Sequence, residues 1–276
     1  MAVESPPEAG ALWLTNWILS STIADYTEQT ALYPVKNLLT PHRSETWRSD
    51  NATDAHYVIF DLGSAMLPTC LALTDVNFDG GTYIRLRGST DSAQVSGVVY
   101  WDLPLYSQDS VSKILRWYLG TPTSGSAAAK QYWGVRILPA SFGSYNTDED
   151  FFEIGSVFLG EYTNITPDQG VRISAKDPSD RMKAYGRAQW TDPIRSYHQV
   201  DLTLDGLTFS ELYALKKLIV AQGSSHAILD VHAYSTDAVV KAGGCFYGYF
   251  DESPTSGRLS SPTNNELTVS FEEASG

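Results

Sequence analysis

Apolar residues in this chain recur mostly at every second position, over short runs closed by turn residues. That alternation predicts strands. They are expected at Cys70–Phe78, Thr82–Ser89, Val95–Asp102, Ser112–Leu119 and Gln131–Leu138. Turn signals separate them at Asp79-Gly80-Gly81, Pro104, Thr121-Pro122 and Ser141 to Tyr145. Many short strands at such spacing predict a β-sandwich or jelly roll. One stretch departs from the alternation. In Phe151 to Tyr162, FFEIGSVFLGEY, apolar residues fall on both parities. A strand wet on one side would alternate, so this one is expected to be covered on both faces. It is read as the seam between an N-terminal β-domain, residues 1–162, and a C-terminal α+β domain, residues 163–276. Gly155 and Gly160 suit a bulge or a close backbone approach there.

The flanking pattern fills in the rest. Residues 1–10 read as a loose arm, and ALWLTNWIL (11–19) as a strand or a helical turn. Trp47 is expected as a plug beneath a turn-rich loop, ahead of a strand that stops at Gly63. GTPTSGSAAAK (120–130) reads as an exposed, mobile loop, and residues 163–180 as a strand-poor connection. In the C-terminal half, Val200, Leu202 and Leu204 share a strand face, and Asp205-Gly206 marks a turn. A helix is expected over Phe209–Gln222. Thr208 and Glu211 fit a capping box at its start. Leu212, Leu215, Leu218 and Ile219 share one side, Lys216 and Lys217 suit the second half of the dipole, and Gly223 ends it. Strands follow at Ala227–Tyr234, Gly244–Phe250 and Glu266–Glu272, the last with Leu267, Val269 and Phe271 inward.

Composition narrows the function. The 276 residues are ample for one large or two ordinary domains. Net charge is −13, which argues against sequence-independent binding to a nucleic-acid backbone. Charged residues make up only 18% and aromatics 12%, a surface suited to partner contacts as well as to a large core. Two cysteines, Cys70 and Cys245, allow neither a disulfide framework nor a zinc site. The N-terminal MAVESPPEAG lacks the basic and apolar regions of a secretory signal, and no run reaches the length of a membrane span. Folding in a cytosol is expected.

Candidate chemistry is sparse. His42, His56, His198, His226 and His232 show no paired ligand spacing, and no nucleophile elbow, phosphate loop or dinucleotide motif occurs. The acidic doublets Asp251-Glu252 and Glu272-Glu273 point to opposite faces of a strand, so neither is a facing glycosidase pair. Asp148-Glu149-Asp150 offers carboxylates of the kind calcium takes, and a solvated loop has the same sequence. Tyr83, Arg85 and Arg87 share one strand face. Cations beside an aromatic suit an acidic ligand, and a solvated strand face gives the same pattern. No catalytic, cofactor-binding or metal-ligating residue is assigned, no cofactor is expected, and ligand-binding residues are left open.

Three resemblances organise these observations. Tyr33-Pro34-Val35-Lys36-Asn37-Leu38-Leu39, Thr46-Trp47-Arg48-Ser49 and the strand ending Asp61-Leu62-Gly63 resemble the opening of discoidin-like, galactose-binding-like sandwiches. Gln131-Tyr132-Trp133-Gly134-Val135-Arg136-Ile137 followed by Glu153-Ile154-Gly155-Ser156-Val157-Phe158-Leu159-Gly160 resembles a segment of tailed-bacteriophage tail proteins, with Ser156 where an Arg is common. Cys245-Phe246-Tyr247-Gly248-Tyr249-Phe250 and Leu267-Thr268-Val269-Ser270-Phe271-Glu272-Glu273 resemble strands of the tail-tube-like domain in tail tube, distal tail and minor tail proteins.

The resemblances imply a mainly β chain: an N-terminal jelly-roll or β-sandwich plus a C-terminal tail-tube-like β-sandwich with one α-helix. The expected function is a structural virion protein of a phage tail tip or baseplate, not an enzyme, assembled in the host cytoplasm. Expected partners are a homo-oligomeric ring (trimer or hexamer), other tail proteins (tube, hub, fibre) and a host glycan, with no direct nucleic-acid binding. Tyr247, Tyr249 and Phe250 are expected as interface anchors. Acidic residues lining a channel would let DNA slide. The alternative is a carbohydrate-binding module for a host-surface glycan. A polysaccharide depolymerase is the enzymatic rival.

Overall fold

A computed structural model describes residues 10–27, 30–78, 82–94, 96–104, 114–139, 150–165, 167–176, 180–183, 189–192, 197–222, 226–231, 244–250, 256–261 and 264–274. The architecture is mainly β. The first strands are β1 (Gly10–Asn16), β2 (Thr22–Tyr26), β3 (Trp47–Arg48), β4 (His56–Met66), β5 (Cys70–Thr74) and β6 (Thr82–Ser89). Next come β7 (Val99–Pro104), β8 (Ile114–Tyr118), β9 (Lys130–Pro139), β10 (Glu153–Ile154) and β11 (Ser156–Ile165). The C-terminal half holds β12 (Pro167–Lys176), β13 (Asp180–Lys183), β14 (Gln189–Asp192), β15 (Tyr197–Leu207) and helix α1 (Phe209–Gln222). It closes with β16 (Ala227–Asp230), β17 (Cys245–Phe250), β18 (Ser256–Ser261) and β19 (Asn264–Glu273).

Two sheets dominate. A five-stranded sheet runs β2-β4-β9-β6-β7, and a ten-stranded sheet runs β12-β15-β19-β17-β16-β1-β11-β5-β8, with β18 added on β19. The first packs against β11, β5 and β8 to make a jelly-roll lobe. Its core takes Phe60, Leu86, Trp101 and Trp133 from one sheet and Leu71, Leu115, Trp117 and Leu159 from the other. In the C-terminal lobe α1 covers the sheet, and Leu212, Leu215 and Ile219 meet Val200, Leu229 and Phe271.

Between the two cores lies a third. Strands β1, β5, β8, β11, β16 and β17 each turn alternate residues toward it, including Trp13, Ala72, Tyr118, Phe158, Ile228 and Tyr247. The other parity of β5, β8 and β11 fills the jelly-roll core, and that of β1, β16 and β17 fills the C-terminal core. The sheet rolls up, bringing terminal strand β8 back against β17. Two-faced burial of β11 is therefore real: Phe158 enters the shared core, while Val157 and Leu159 enter the jelly roll. A side chain at Gly160 would overlap the Thr15 carbonyl of β1, and one at Gly248 the Glu272 carbonyl of β19. Ser156 is buried, its hydroxyl 2.9 Å from that of Thr74.

The shared core encloses an ion pair. Arg116 of β8 donates from Nε and Nη2 to both carboxylate oxygens of Asp230 of β16, and Tyr118 donates its hydroxyl to the same carboxylate at 2.7 Å. Both charged side chains are 0% exposed. Burial, then the Asp230 charge, pushes the Tyr118 hydroxyl pKa well up.

Several elements differ from expectation. Residues 167–176 form a strand paired with β15 along its length, apart from a register shift between Pro167 and Val171. Residues 11–19 are both things foreseen: a strand, then a 3-10 turn over Trp17–Ser20. Asn16 makes the switch, its side chain accepting from Ile18 N–H and Leu159 N–H and donating to the Val157 carbonyl. The capping box on α1 forms as expected. Thr208 N–H donates to Glu211 at 2.9 Å and Glu211 N–H to the Thr208 hydroxyl at 3.3 Å. Leu218, placed on the buried side by periodicity, is 43% exposed. Trp47 is fully buried, as a plug should be. Tyr247 and Phe250 lie inside the chain, so they are core residues and not surface anchors. The arm at 1–9, Gly223, and the turns at 79–81 and 141–145 lie outside the described residues.

Breaking the buried pair from one side leaves an uncompensated charge. Asp230→Ala is expected to lose about 3–5 kcal/mol of stability, against about 1.5–3 kcal/mol for Tyr118→Phe, which removes one hydrogen bond to a charged group. Urea unfolding midpoints check the order; equal losses would deny the pair its place in the core.

Candidate functional site

Strand alternation builds a polar face on the outside of the five-stranded sheet. In β6, Ile84 and Leu86 point to the core while Arg85 and Arg87 point out; in β9, Val135 and Ile137 point in and Arg136 out. Register then aligns neighbours: Tyr57 opposite Arg136, Arg136 opposite Arg85, and Arg85 opposite Asp102. The next row sets Gly134 against Arg87 and Arg87 against Tyr100. Residues directly opposite have Cβ atoms roughly 5 Å apart, so three guanidiniums share one small patch.

Each is held in place. Arg85 makes a two-pronged pair with Asp102 at 2.6 and 3.1 Å and sits 4.4 Å above the Tyr100 ring. Arg136 lies 5.0 Å over the Tyr57 ring, whose hydroxyl donates to Asp25 at 3.0 Å. Gln94 closes over the row. It has φ +53° and is 0% exposed. Its amide accepts from Arg136 at 3.2 Å and donates to the Arg87 carbonyl at 3.0 Å, and its own carbonyl accepts from Arg87. A side chain at Gly134 would collide with that amide. Burial first, then the charges of Arg87 and Arg85, hold the Arg136 pKa below its usual range.

The edge beside this face is sealed. Tyr100 N–H donates to the Ser124 carbonyl at 3.1 Å, Thr123 N–H returns to the Tyr100 carbonyl at 2.8 Å, and the Thr123 hydroxyl accepts from Asp102 N–H. The loop read as free at 120–130 is thus exposed but bonded along β7. Of the face, sequence alternation named Arg85 and Arg87. The side chain of Tyr83 lies outside the described residues. Tyr57, Gln94, Tyr100, Asp102 and Arg136 were not anticipated: their outward parity was legible, their register was not.

The other candidates occupy structural positions. His198 meets Glu273 at 2.7 Å and packs on Phe246. His56 lies against Trp47 and Phe152, and burial holds its pKa below the usual imidazole value against the raising effect of Asp50. His226 stacks on Tyr247 at 5.2 Å and meets His42 at 6.3 Å, joining the loop after Pro41 to the C-terminal lobe. Tyr247 donates to the Pro41 carbonyl at 2.9 Å. Both cysteines are fully buried thiols, Cys245 pushed up to about 12 by burial and Cys70 also raised; thiolate chemistry is closed to them. Glu272 accepts from the Tyr249 hydroxyl, while Glu273 turns to His198. Asp148, Glu149, His232, Asp251 and Glu252 lie outside the described residues. Among the described residues no three His, Cys, Asp or Glu side chains converge as for a metal, and no helix is long and apolar enough to cross a membrane. A crevice at Leu38, Trp47, Phe60, Val135 and Ile154 is too narrow for water.

No known protein family and no curated protein matches the chain. Solved structures do. Chitosan-binding module 1 from a chitosanase/glucanase of Paenibacillus sp. IK-5 is 12% identical, with 54% of this chain and 98% of that one covered and a TM-score of 0.40. CpGH89CBM32-4 of Clostridium perfringens, in complex with GlcNAc-α-1,4-galactose, is 12% identical over 54% of this chain and 94% of that one, TM-score 0.39. A mutant lectin binding domain of Lectinolysin, complexed with Lewis b, is 11% identical over 52% and 94%, TM-score 0.36.

The buried histidines set a pH dependence. Burial, then the neighbouring His42, lowers the His226 pKa from 6.5, so the unfolded chain binds the proton more readily. Stability is then full above about pH 6.5 and falls as pH drops toward the depressed folded value. Urea midpoints at pH 7, 6 and 5 are expected to fall more steeply for the parent than for His226→Gln. Parallel slopes would remove His226 as a source.

Proposed function

We propose that the chain is a non-catalytic recognition and attachment protein, whose jelly-roll lobe binds a saccharide and whose C-terminal lobe mounts it on a larger assembly. The observation that carries this is the outer face of the five-stranded sheet. Tyr57, Arg136, Arg85 and Asp102 form an ordered row of planar, half-exposed polar groups. Such a row offers a sugar several fixed donors and acceptors at once. Holding it rigid beforehand lowers the entropy cost of binding.

A second reading concerns the mount, a phage tail tip or baseplate with a ring of copies. Two features favour it. On α1, Phe209, Tyr213 and Val220 are exposed at 58%, 65% and 61%, on the flank beside the buried Leu212, Leu215 and Ile219. At the sheet edge, β12 pairs among the described residues only with β15, and Ile173 is exposed on it. An open edge and an apolar helix stripe suit strand addition and packing by a neighbouring subunit.

The full chain on an array of bacterial surface glycans is expected to bind at least one. Silence across the array would overturn the saccharide reading. Light scattering over rising concentration is expected to give a discrete oligomer that Phe209→Ser with Tyr213→Ser returns to monomer; a parent that stays monomeric throughout would count against self-assembly through this stripe.

A further inference from the structure

We infer that the patch of Arg85, Arg87 and Arg136 binds the carboxylate or sulfate groups of an acidic saccharide. This deepens the saccharide reading and rests on it. Composition does not account for the patch: the chain carries 19 Lys and Arg against 32 Asp and Glu, yet two arginines stand directly opposite and a third shares their strand face. Like charges so placed repel.

The protein answers that repulsion only in part. Arg85 has Asp102. Asp25 accepts from the Tyr57 hydroxyl and the Tyr26 N–H, and Asp61, further along β4, accepts from Gln131. Arg87 and Arg136 pair with no carboxylate among the described residues, and each gives one Nη bond to Gln94. Their Nε atoms are shut from solvent and make no hydrogen bond. Two guanidiniums thus lose hydration with no carboxylate in direct contact, Asp25 acting on Arg136 only from a distance, while both side chains stay half-exposed. An oxyanion supplies the missing charge, and the planar guanidinium fork matches its geometry.

The aromatic rings decide between acidic and neutral sugars. A neutral saccharide commonly gains by lying on an exposed ring face. Here the Tyr100 face is occupied by Arg85 and the Tyr57 face by Arg136. Stacking is closed on those two faces, so discrimination at the arginines themselves falls to charge. Gln94 keeps the arginines apart and aimed, because its amide occupies the space that any residue larger than Gly134 would fill.

The test is calorimetric titration of the full chain with oligogalacturonate and with the same oligomer as its methyl ester, alongside hyaluronate, chondroitin sulfate and poly-glutamate. At least one acidic saccharide is expected to bind, more weakly as salt rises, and about tenfold less tightly to Arg87→Gln and Arg136→Gln. The ester is expected to bind weakly and alike to all variants. Thermal melts report whether the variants fold; if a Gln variant does not, Arg87→Lys and Arg136→Lys keep the charge, lose the fork, and should bind with intermediate affinity. Acid and ester binding equally, or Gln variants matching the parent, would overturn the charge assignment and leave the saccharide reading intact. Binding of poly-glutamate alone, lost in Arg87→Gln, would keep the anion patch and overturn the saccharide. No binding by any of these probes would overturn the acidic-saccharide assignment, and the glycan array then decides the saccharide reading by itself.

Discussion

The buried pair of Arg116 and Asp230 is the constraint on which the arrangement of the two lobes depends. Arg116 sits on β8, the end strand of the ten-stranded sheet, and Asp230 on β16, with β1, β11 and β5 between them in the ladder. They meet only because the sheet rolls up. Stripping water from both charges is costly, and the two-pronged contact with the Tyr118 hydroxyl offsets that cost in a single geometry. A one-residue slip of β8 would turn Arg116 into the apolar core of the jelly roll and Leu115 toward Asp230. The pair therefore fixes register as well as closure, which an apolar pair of similar volume would leave freer.

Rigidity follows from the shared strands. β1 hydrogen-bonds to β11 on one side and β16 on the other. A hinge between the lobes would have to break one of those ladders and open the core around Trp13, whose ring meets Tyr118 edge-on at 5.4 Å. The loop after Pro41 adds a second tie through Tyr247 and His226. The outer face of the five-stranded sheet is thus held at a set orientation to α1, and a ligand or neighbour bound on one lobe meets the other in a defined place.

Local pattern made much of this legible. Parity exposed the two-faced burial of Val157 to Leu159, though Phe152 and Ile154, around the separate strand β10, join Val157 and Leu159 in the jelly-roll core and not Phe158. The Thr208–Glu211 box with periodic Leu212, Leu215 and Ile219 placed α1 to the residue. What escaped was non-local. Residues 167–176 carry Pro167, Asp168 and Gly170, turn formers by propensity; these fall at the register shift, and Val171 to Lys176 then pair with β15. Tyr247 and Phe250 lie on opposite faces of β17, and alternation could not say that both faces are covered. The arginine face shows the same limit. Arg85 and Arg87 lie on one strand, but Arg136 joins them through a register set some fifty residues away along the chain.

Net charge was also a poor guide to the local surface. At physiological salt exposed charges are screened beyond roughly 8 Å, so the −13 of the whole chain does not cancel a patch of adjacent guanidiniums. The fold further separates two kinds of surface. Beside the arginine face, Ser124 and Thr123 occupy the backbone groups of β7 at Tyr100 and Asp102, which closes that edge to an added strand. At the far end of the other sheet, β12 keeps a free edge among the described residues. The β7 edge beside the arginines therefore presents side chains in place of free backbone, while β2, at the other end of that sheet, pairs only with β4 among the described residues. On the proposed reading, a saccharide on the arginine face and a subunit added at β12 would occupy different surfaces, so neither would block the other.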